Sequence, residues 1–169
     1  MAWQPKNNAL DTSGIEKNLD AFIAANQAAA LLWSSGGAAL KRFYFIAESL
    51  ADLNKPNLPS LAVVGTSETE ASDDDLLVID YRIDYESIVF GKDAGALPAI
   101  TKKYANALKS MLKNISAIEL LADVPGQQKL LGVSVNVNYR DLAEAKKAGG
   151  FIQVFEVRAV YRLLDSAYI

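Results

Sequence analysis

The sequence predicts an α+β domain in which a mainly antiparallel sheet of about four strands carries helices packed on one face. Two neighbouring patterns predict this class. Polarity alternates strictly from Leu77 to Glu86, which is typical of a half-buried antiparallel strand. A helical period of apolar residues then runs from Leu97 to Ile115. A strand followed so closely by a helix indicates that the helix folds back over the strand's apolar face.

The predicted central strand has two distinct sides. The apolar side contains Leu77, Ile79, Tyr81, Ile83 and Tyr85, and the other side contains Val78, Asp80, Arg82, Asp84 and Glu86. Ile88 and Phe90 fall on the polar side's parity, which predicts a bulge near Ser87 or a strand end there.

Gly91, Asp93 and Gly95 predict the turn after the strand, and Pro98 suits the first turn of a helix. That helix has one apolar stripe, made of Leu97, Ile100, Tyr104, Leu108, Met111, Leu112 and Ile115. Its opposite side carries Lys102, Asn106, Lys109, Ser110 and Lys113. The lysines could meet phosphates, but the face has no arginine and no aromatic platform, so a solvated face is the favoured interpretation.

The N-terminal part predicts an irregular arm followed by a helical region. Residues 1–12 show no periodicity, and Trp3 is interpreted as a contact onto its own domain, with docking in an interface as the alternative. Ser13 and Glu16 fit a capping box. A helical period follows over residues 15–34.

Gly36 and Gly37 predict the end of this helix. Residues 38–53 favour a second helix, although residues 42–46 also fit a short strand. Residues 54–59 contain two prolines and two asparagines and predict a loop. The apolar run 61–65 predicts the first strand.

Residues 67–75 are small and acidic, with carboxylates at Glu68, Glu70, Asp73, Asp74 and Asp75. They predict a solvated hairpin loop. A site for a hard cation is the alternative, but the spacing of a calcium loop is missing.

The C-terminal third predicts two further strands. Residues 130–139 and 151–164 alternate in polarity, with residues 140–149 as a loop or one helical turn between them. Because the two strands are close neighbours along the chain, we expect them to pair antiparallel. Before them, residues 116–124 form a short apolar segment. The domain organisation is therefore an arm (1–12), a helical region (13–53) and a sheet with a long helix (59–164).

Composition argues against several classes of function. The 169 residues fit one domain with its own core. The chain has no cysteine and no histidine, so thiolate chemistry, Ser-His and Cys-His catalysis and histidine-ligated metals are excluded. The net charge of −3 gives no general case for nucleic-acid binding. No membrane span or signal peptide is evident, and we expect a non-enzymatic chain without cofactors, made in the cytosol.

Three polar strand faces are predicted to lie side by side. They carry Asp80, Arg82, Asp84 and Glu86; Asn136, Asn138 and Arg140; and Glu156, Arg158 and Arg162. Cross-strand ion pairs are the ordinary interpretation of such a face, and a carboxylate pair for acid–base work is the alternative. Val78, Val154 and Val160 interrupt it, and a mixed polar and apolar face suits a subunit interface.

The order of elements resembles the tail terminator (tail completion) and related neck proteins of tailed bacteriophages. The resemblance covers residues 59–164 and lies in the pattern of segments, which are LPSLAVV at 58–64, IDYRIDY at 79–85, a GKD turn at 91–93, KYANAL at 103–108 and GFIQVFEV at 150–157. It implies a structural virion protein that forms a ring, usually of six subunits. Such a ring caps the tail tube and joins it to the head connector, so the implied partners are other copies of the chain, the tube protein and neck proteins.

The resemblance brings no active-site motif, so interface residues are predicted from exposure and pattern. They are Arg82, Glu86, Glu156, Arg158, Arg162 and Trp3. Under the same hypothesis the acidic residues Asp73, Asp74 and Asp75 line the lumen or face a partner, and DNA passes through without specific binding. The alternative from another class is a small-ligand-binding or regulatory domain, with its site between sheet and helices.

Overall fold

The computed structural model of the protein describes residues 10–46, 58–73, 76–124 and 129–165. Within them lie three α-helices and six strands. The helices are α1 (Ile15–Ser34), α2 (Leu97–Asn114) and α3 (Ala117–Leu120), and the strands are β1 (Tyr44–Phe45), β2 (Ser60–Asp73), β3 (Leu76–Gly91), β4 (Leu130–Tyr139), β5 (Ala143–Ala145) and β6 (Gly150–Leu164). No helix in the described part of the chain is long and apolar enough to cross a membrane.

The strands form one mixed, mostly antiparallel sheet in the order β1-β2-β3-β6-β4, with β5 also paired to β6. Only the β1–β2 pair is parallel. The two long helices pack on one face of this sheet, so the predicted α+β class is confirmed, with six strands where about four were expected. The predicted antiparallel pairing of residues 130–139 with 151–164 is also confirmed.

The core lies between the sheet and the two long helices. Alternate residues of β3 and β6 point into it, including Ile83, Tyr85, Phe155 and Tyr161, which are at most 1% exposed. The stripe predicted on α2 faces them, and all of its residues are buried except Ile100, which is partly buried. We call this side of the sheet the inner face and the opposite side the outer face.

Neither the predicted bulge near Ser87 nor the alternative strand end occurs, since β3 continues to Gly91. β3 and β6 pair without interruption from Val78–Leu164 to Gly91–Phe151, and Ser87 stays on the inner face with no exposed surface. Ile88 and Phe90 are accommodated on the outer face because Val154 and Ile152 lie directly opposite them on β6. Apolar cross-strand pairs of this kind contribute about 0.2–1 kcal/mol each. The irregularity of the sheet at this level lies in β2 instead, between Val63 and Gly65.

The helix α1 has the predicted extent, but Ser13 does not cap it. Gly14 is the N-cap residue and no side chain bonds there, while the Ser13 N–H donates to Asp11 Oδ1 at 3.0 Å. A β-carbon on Gly14 would lie 2.1 Å from Asp123 Oδ2, so a larger residue here would require the Asp123 carboxylate to move. A complete capping box occurs elsewhere, between Ser116 and Glu119 at the start of α3.

The helix predicted over residues 38–53 is wrong for its described part. Residues 38–43 have no regular structure and Tyr44–Phe45 is a strand, so the alternative of a short strand is correct. The Tyr44 N–H donates to Pro59 O at 2.9 Å and the Ile46 N–H to Leu61 O at 3.0 Å. Pairing with β2 therefore overrides the local preference for a helix. Residues 47–57, including most of the predicted loop 54–59, lie outside the described residues.

Two predicted loops contain strand. Residues 67–73 belong to β2 and pair with β3 from Arg82 to Leu76, so this part of the predicted loop is wrong. Residues 74 and 75 lie outside the described residues. Between β4 and β6 the chain forms β5 and a short 3-10 turn, Lys146–Ala148. This turn ends at Gly149, whose φ of +69° is the left-handed conformation that glycine adopts readily.

A buried tyrosine holds the end of α2 on the sheet, which gives a first prediction. The Tyr161 hydroxyl donates to Leu112 O at 2.5 Å, in the last turn of the helix, where carbonyls have no partner within the helix. Tyr161→Phe should therefore lower the free energy of unfolding in urea by about 1–3 kcal/mol. Tyr139→Phe is the matched control, because Tyr139 is 39% exposed at the sheet edge and should change stability little. Equal effects of the two substitutions would contradict the assignment.

Candidate functional site

The outer face carries most of the predicted site residues. Asp80, Arg82, Asp84 and Glu86 alternate along β3, and Glu156, Arg158 and Arg162 alternate along β6 beside them. They point outward because their neighbours in each strand, such as Ile83 and Val157, are buried in the core. The strict alternation of both strands therefore gathers these charges on one surface.

Two carboxylates of β3 are bound by arginines directly across the sheet. Asp80 faces Arg162 in register, and both of its oxygens accept from that guanidinium at 2.9 Å. Asp84 faces Arg158, whose Nε lies 2.9 Å from Asp84 Oδ1, and it also accepts from Arg82 on its own strand at 2.6 Å. The predicted cross-strand ion pairs are thus formed.

The third group of charges is different, because Glu86 and Glu156 stand directly opposite one another. Two carboxylates in this position repel each other. Arg140, which follows β4, bridges them: its Nη2 lies 3.0 Å from Glu86 Oε2 and also contacts Glu156 Oε1. Arg140 thus compensates a like-charge pair that the central register imposes.

The ion pairs hold the carboxylates in their ionised form. Hydrogen bonds from Arg162 lower the pKa of Asp80 below its ordinary value of 3.8. Burial raises the pKa of Asp84, but the hydrogen bonds from Arg82 and Arg158 outweigh it and the net shift is downward. Neither carboxyl is therefore suited to donate a proton near neutral pH.

The outer face is concave near its centre. A concavity of about 560 Å³ is lined by Val64, Asp84, Tyr85, Asn136, Val137, Asn138, Glu156, Val157 and Arg158. The two asparagines are exposed on β4, beside charges that are paired with one another. In the described part of the chain, no group of histidine, cysteine, aspartate or glutamate side chains is arranged to hold a metal ion. This surface can offer hydrogen bonds and shape to a partner.

A second, smaller cavity lies between α1 and the start of the sheet. It measures about 310 Å³ and is lined by Glu16, Asp20, Phe45, Ile46, Leu61, Val63 and Tyr85. The Tyr85 hydroxyl donates to Asp20 Oδ1 at 3.0 Å, and burial raises the pKa of Asp20. Sequence reasoning missed this cavity. The spacing of Glu16 and Asp20, four residues apart on one helix, was the only available signal.

The remaining predicted residues are not part of the outer face as described. Trp3, Asp74 and Asp75 lie outside the described residues. Asp73 is the last residue of β2 and pairs with Leu76, so it belongs to a strand and not to a loop. The structure adds Asp80, Asp84 and Arg140 to the predicted set, since these residues hold the five outer-face residues in their ion pairs.

Comparison with known proteins gives a structural likeness alone. No protein-family model and no curated protein matches the chain. Among solved structures, it is similar to a chain from the virion of a native gene transfer agent particle. The two share 17% sequence identity and a TM-score of 0.49, over 90% of this chain and 97% of that one. A likeness of this degree indicates no function for this chain.

The bridging position of Arg140 leads to a second prediction. Arg140→Met leaves Glu86 and Glu156 facing each other without a cation, so the protein should become less stable. The loss of stability should be smaller at high salt, because salt screens exposed charges. Adding Glu156→Gln removes the repulsion and should recover most of the loss. Urea unfolding of both variants checks this, with Lys146→Met as the control for loss of an exposed cation. Failure of Glu156→Gln to restore stability would show that Arg140 acts in another way.

The lowered pKa of Asp84 gives a third prediction, on the pH dependence of stability. Because the pKa is lower in the folded than in the unfolded chain, the stability contributed by Asp84 is present above the ordinary value of 3.8 and is lost as the pH falls through the lowered one. Asp84→Asn should therefore flatten the acid branch of the stability curve, measured by urea unfolding between about pH 6 and pH 2.

Asp20→Asn is the matched control for this pH dependence. The pKa of Asp20 is raised by burial, so its contribution has the opposite sign: stability falls as the pH rises from 3.8 through the raised pKa. Its replacement should leave the acid branch at least as steep as in the unmodified protein. The same flattening in both variants would contradict the assignment to Asp84.

Proposed function

We propose that this chain is a structural component of a tailed-phage-like virion, and more narrowly a tail terminator or neck protein. In that role it forms a ring, usually of six subunits, that caps the finished tail tube and joins it to the head connector. The observation that carries the proposal is the order of elements behind the sequence resemblance: a strand after Pro59 (β2), a second long strand (β3), a helix packed on the sheet (α2) and a closing strand (β6). The protein acts through surfaces.

The outer face supports a role in assembly. Its carboxylates and guanidinium groups are engaged with one another, which suits a surface that meets another protein and needs its charges compensated. Val154, Val160 and Ile88 are only half-buried between these charges. A mixture of paired charges and apolar side chains is the composition expected at a subunit or partner contact.

The chemistry of the chain favours assembly over catalysis. Asp80 and Asp84 on the outer face are bound to arginines and have lowered pKa values. A general acid needs a pKa near the working pH, and the chain has no histidine to supply one. Carboxylate-based turnover at the outer face is therefore disfavoured.

The proposal includes its partners and location. The partners are further copies of this chain, the tail tube protein and the head-connector or neck proteins, and the protein resides in the tail or neck of the virion after assembly in the host cytoplasm. DNA passes through the lumen without specific binding, which is compatible with the net charge of −3. Asp73, Asp74 and Asp75 remain the residues proposed to face the lumen or a partner.

A second candidate function has one observation in its favour. The cavity of about 310 Å³ between α1 and the sheet lies where a small-ligand-binding domain would hold its ligand, at the lower end of the usual size range. Glu16, Asp20 and Tyr85 line it, so a cationic ligand fits its chemistry. An increase in melting temperature with small organic amines would favour this function.

The fourth prediction tests the assembly function directly. Native mass spectrometry and negative-stain imaging should show a closed ring, and the purified protein should bind to the ends of assembled tail tubes. The variants Arg82→Glu and Arg158→Glu should bind tube ends more weakly. Lys92→Glu, on the turn before α2, is the control and should bind like the unmodified protein. A protein that forms no ring, does not bind tubes and is stabilised by an amine ligand would transfer the proposal to the second candidate.

A further inference from the structure

The sheet ends in two long edges whose backbone groups have no partner strand among the described residues. β1 covers β2 only at Ser60 and Leu61, so the outer edge of β2 from Ala62 to Asp73 is unpaired there. On the other side β4 pairs only with β6. Unpaired edges are templates for strand addition, and proteins that stay monomeric usually cover or interrupt them.

The two edges are compatible with each other in direction. β2, β3, β6 and β4 are successively antiparallel, so β2 and β4 of one molecule run in opposite directions. When two copies stand side by side in the same orientation, β2 of one and β4 of the next therefore meet as an antiparallel pair. The contact joins two different surfaces, which is the heterologous geometry from which rings are built.

The β2 side of the molecule is acidic where its edge is open. Glu68 and Glu70 pair with Tyr81 and Ile79, which places them on the helix side of the sheet. Glu16 and Asp20 of α1 line the cavity beside Leu61 and Val63 of β2, next to the level where β1 covers this edge. In the described part of this surface, carboxylates thus lie on the helix and on the strand edge alike.

The β4 side is basic at the same level. α2 packs on β6 and β4, and Lys102, Lys109 and Lys113 fall within about 40° of one another around its axis. Tyr104 points to the other flank, towards α1, since its ring contacts Phe43 and its hydroxyl accepts from the Lys41 N–H. The lysine stripe therefore lies on the side of α2 opposite Tyr104, and Lys102 and Lys113 on it are exposed. Lys129 directly precedes that strand.

Charges at the opposite end of the two edges are reversed in sign. Lys41 and Arg42 are exposed just before β1, beside the start of β2. Asp141 and Glu144 are exposed at β5, which extends the β4 edge along the same end of the sheet. Side-by-side copies in one orientation therefore match opposite charges at both ends. Pairing of two β2 edges would instead bring Glu68 and Glu70 of both copies together.

Exposed apolar side chains complete both edges. Val64 on β2 is 56% exposed, and on the other side Leu131, Tyr139 and Leu142 are 46%, 39% and 38% exposed. Lone apolar residues on a surface are ordinary, but here they accompany an unpaired backbone. Their burial between copies would add apolar contact to the backbone hydrogen bonds.

From these observations we propose that the β2 edge of one copy docks on the β4 edge of a second copy, extending the sheet antiparallel, with the acidic α1–β2 side against the lysine stripe of α2. The occupant of each edge is thus another copy of this chain. This inference rests on the proposed function, because it names the contact through which the subunits of the proposed ring would join. It assigns the contact between subunits to the strand edges and leaves the outer face for other partners.

The fifth prediction is a charge-reversal experiment on the two edges. One variant carries Glu70→Lys and Ser72→Lys, which spare Glu68 because it accepts from Thr12, and the other carries Lys109→Glu and Lys113→Glu. Each variant presents like charges on its two edges, so its self-association constant should fall at least about tenfold. An equimolar mixture should assemble again with alternating copies, and so should a chain that carries all four changes. Lys92→Glu with Lys103→Glu is the control for the second variant, because it has the same charge change, and it should assemble like the unmodified protein.

A pair of proline variants tests the backbone contact independently of charge. The Arg140 N–H donates to Val154 O, and alternation along β4 then directs the Asn136 N–H to β6 and the Val135 N–H outward. Val135→Pro should keep the fold, since an edge strand tolerates proline where its N–H faces out, and should lose self-association. Asn136→Pro should instead lower the melting temperature. Circular dichroism and sedimentation velocity measure the two effects.

The outcomes separate the inference from the proposed function. Edge variants that lose assembly and regain it on mixing support the inference, even if the protein does not bind tail tubes. Failure to bind tail tubes would overturn the virion function alone. Assembly that is insensitive to both charge reversals, a mixture without rescue, or a protein that stays monomeric even on tail tubes would overturn the edge contact.

Discussion

The pairing of β3 with β6 is the constraint on which the rest of the structure depends. It runs in one register from Val78–Leu164 to Gly91–Phe151, and side chains alternate between the two faces along it. The same register that puts Tyr85 and Val157 in the core puts Asp84 and Arg158 outside. A slip of one residue would send the charges beneath the helices, where an unpaired charge is very costly. Core packing and outer-face ion pairs are thus set together.

Elements with long and regular patterns could be predicted from the sequence. The central strand, the final strand and the stripe of α2 each repeat their pattern over three or more periods, so local sequence and tertiary burial agree. The outer-face residues followed from the same alternation, because a residue's face is known once its strand is known. The bridging role of Arg140 could not follow, since it depends on Glu86 and Glu156 meeting across the sheet.

Elements that depend on a distant partner were predicted wrongly. Residues 67–73 read as an acidic loop by composition, but β3 continues far enough to pair with them, and backbone pairing overrides weak strand preference. Tyr44–Phe45 is a strand because Pro59 and Leu61 accept its hydrogen bonds. The Ser13 capping box is also absent, and there the Ser13 N–H donates locally to Asp11. For the two strands the deciding atoms lie on another element, and no local pattern reports them.

The distribution of unsatisfied groups is the physical basis of the proposed contact between copies. On the outer face the carboxylates and guanidinium groups already bind one another. A partner that binds there gains little new electrostatic energy, so its fit depends mainly on shape. The described edges of β2 and β4 instead leave backbone donors and acceptors without a strand partner. A second copy can satisfy both at once, and oppositely charged flanks select its orientation. In the proposed assembly the edges would therefore supply affinity and register, and the outer face would be left to distinguish other partners.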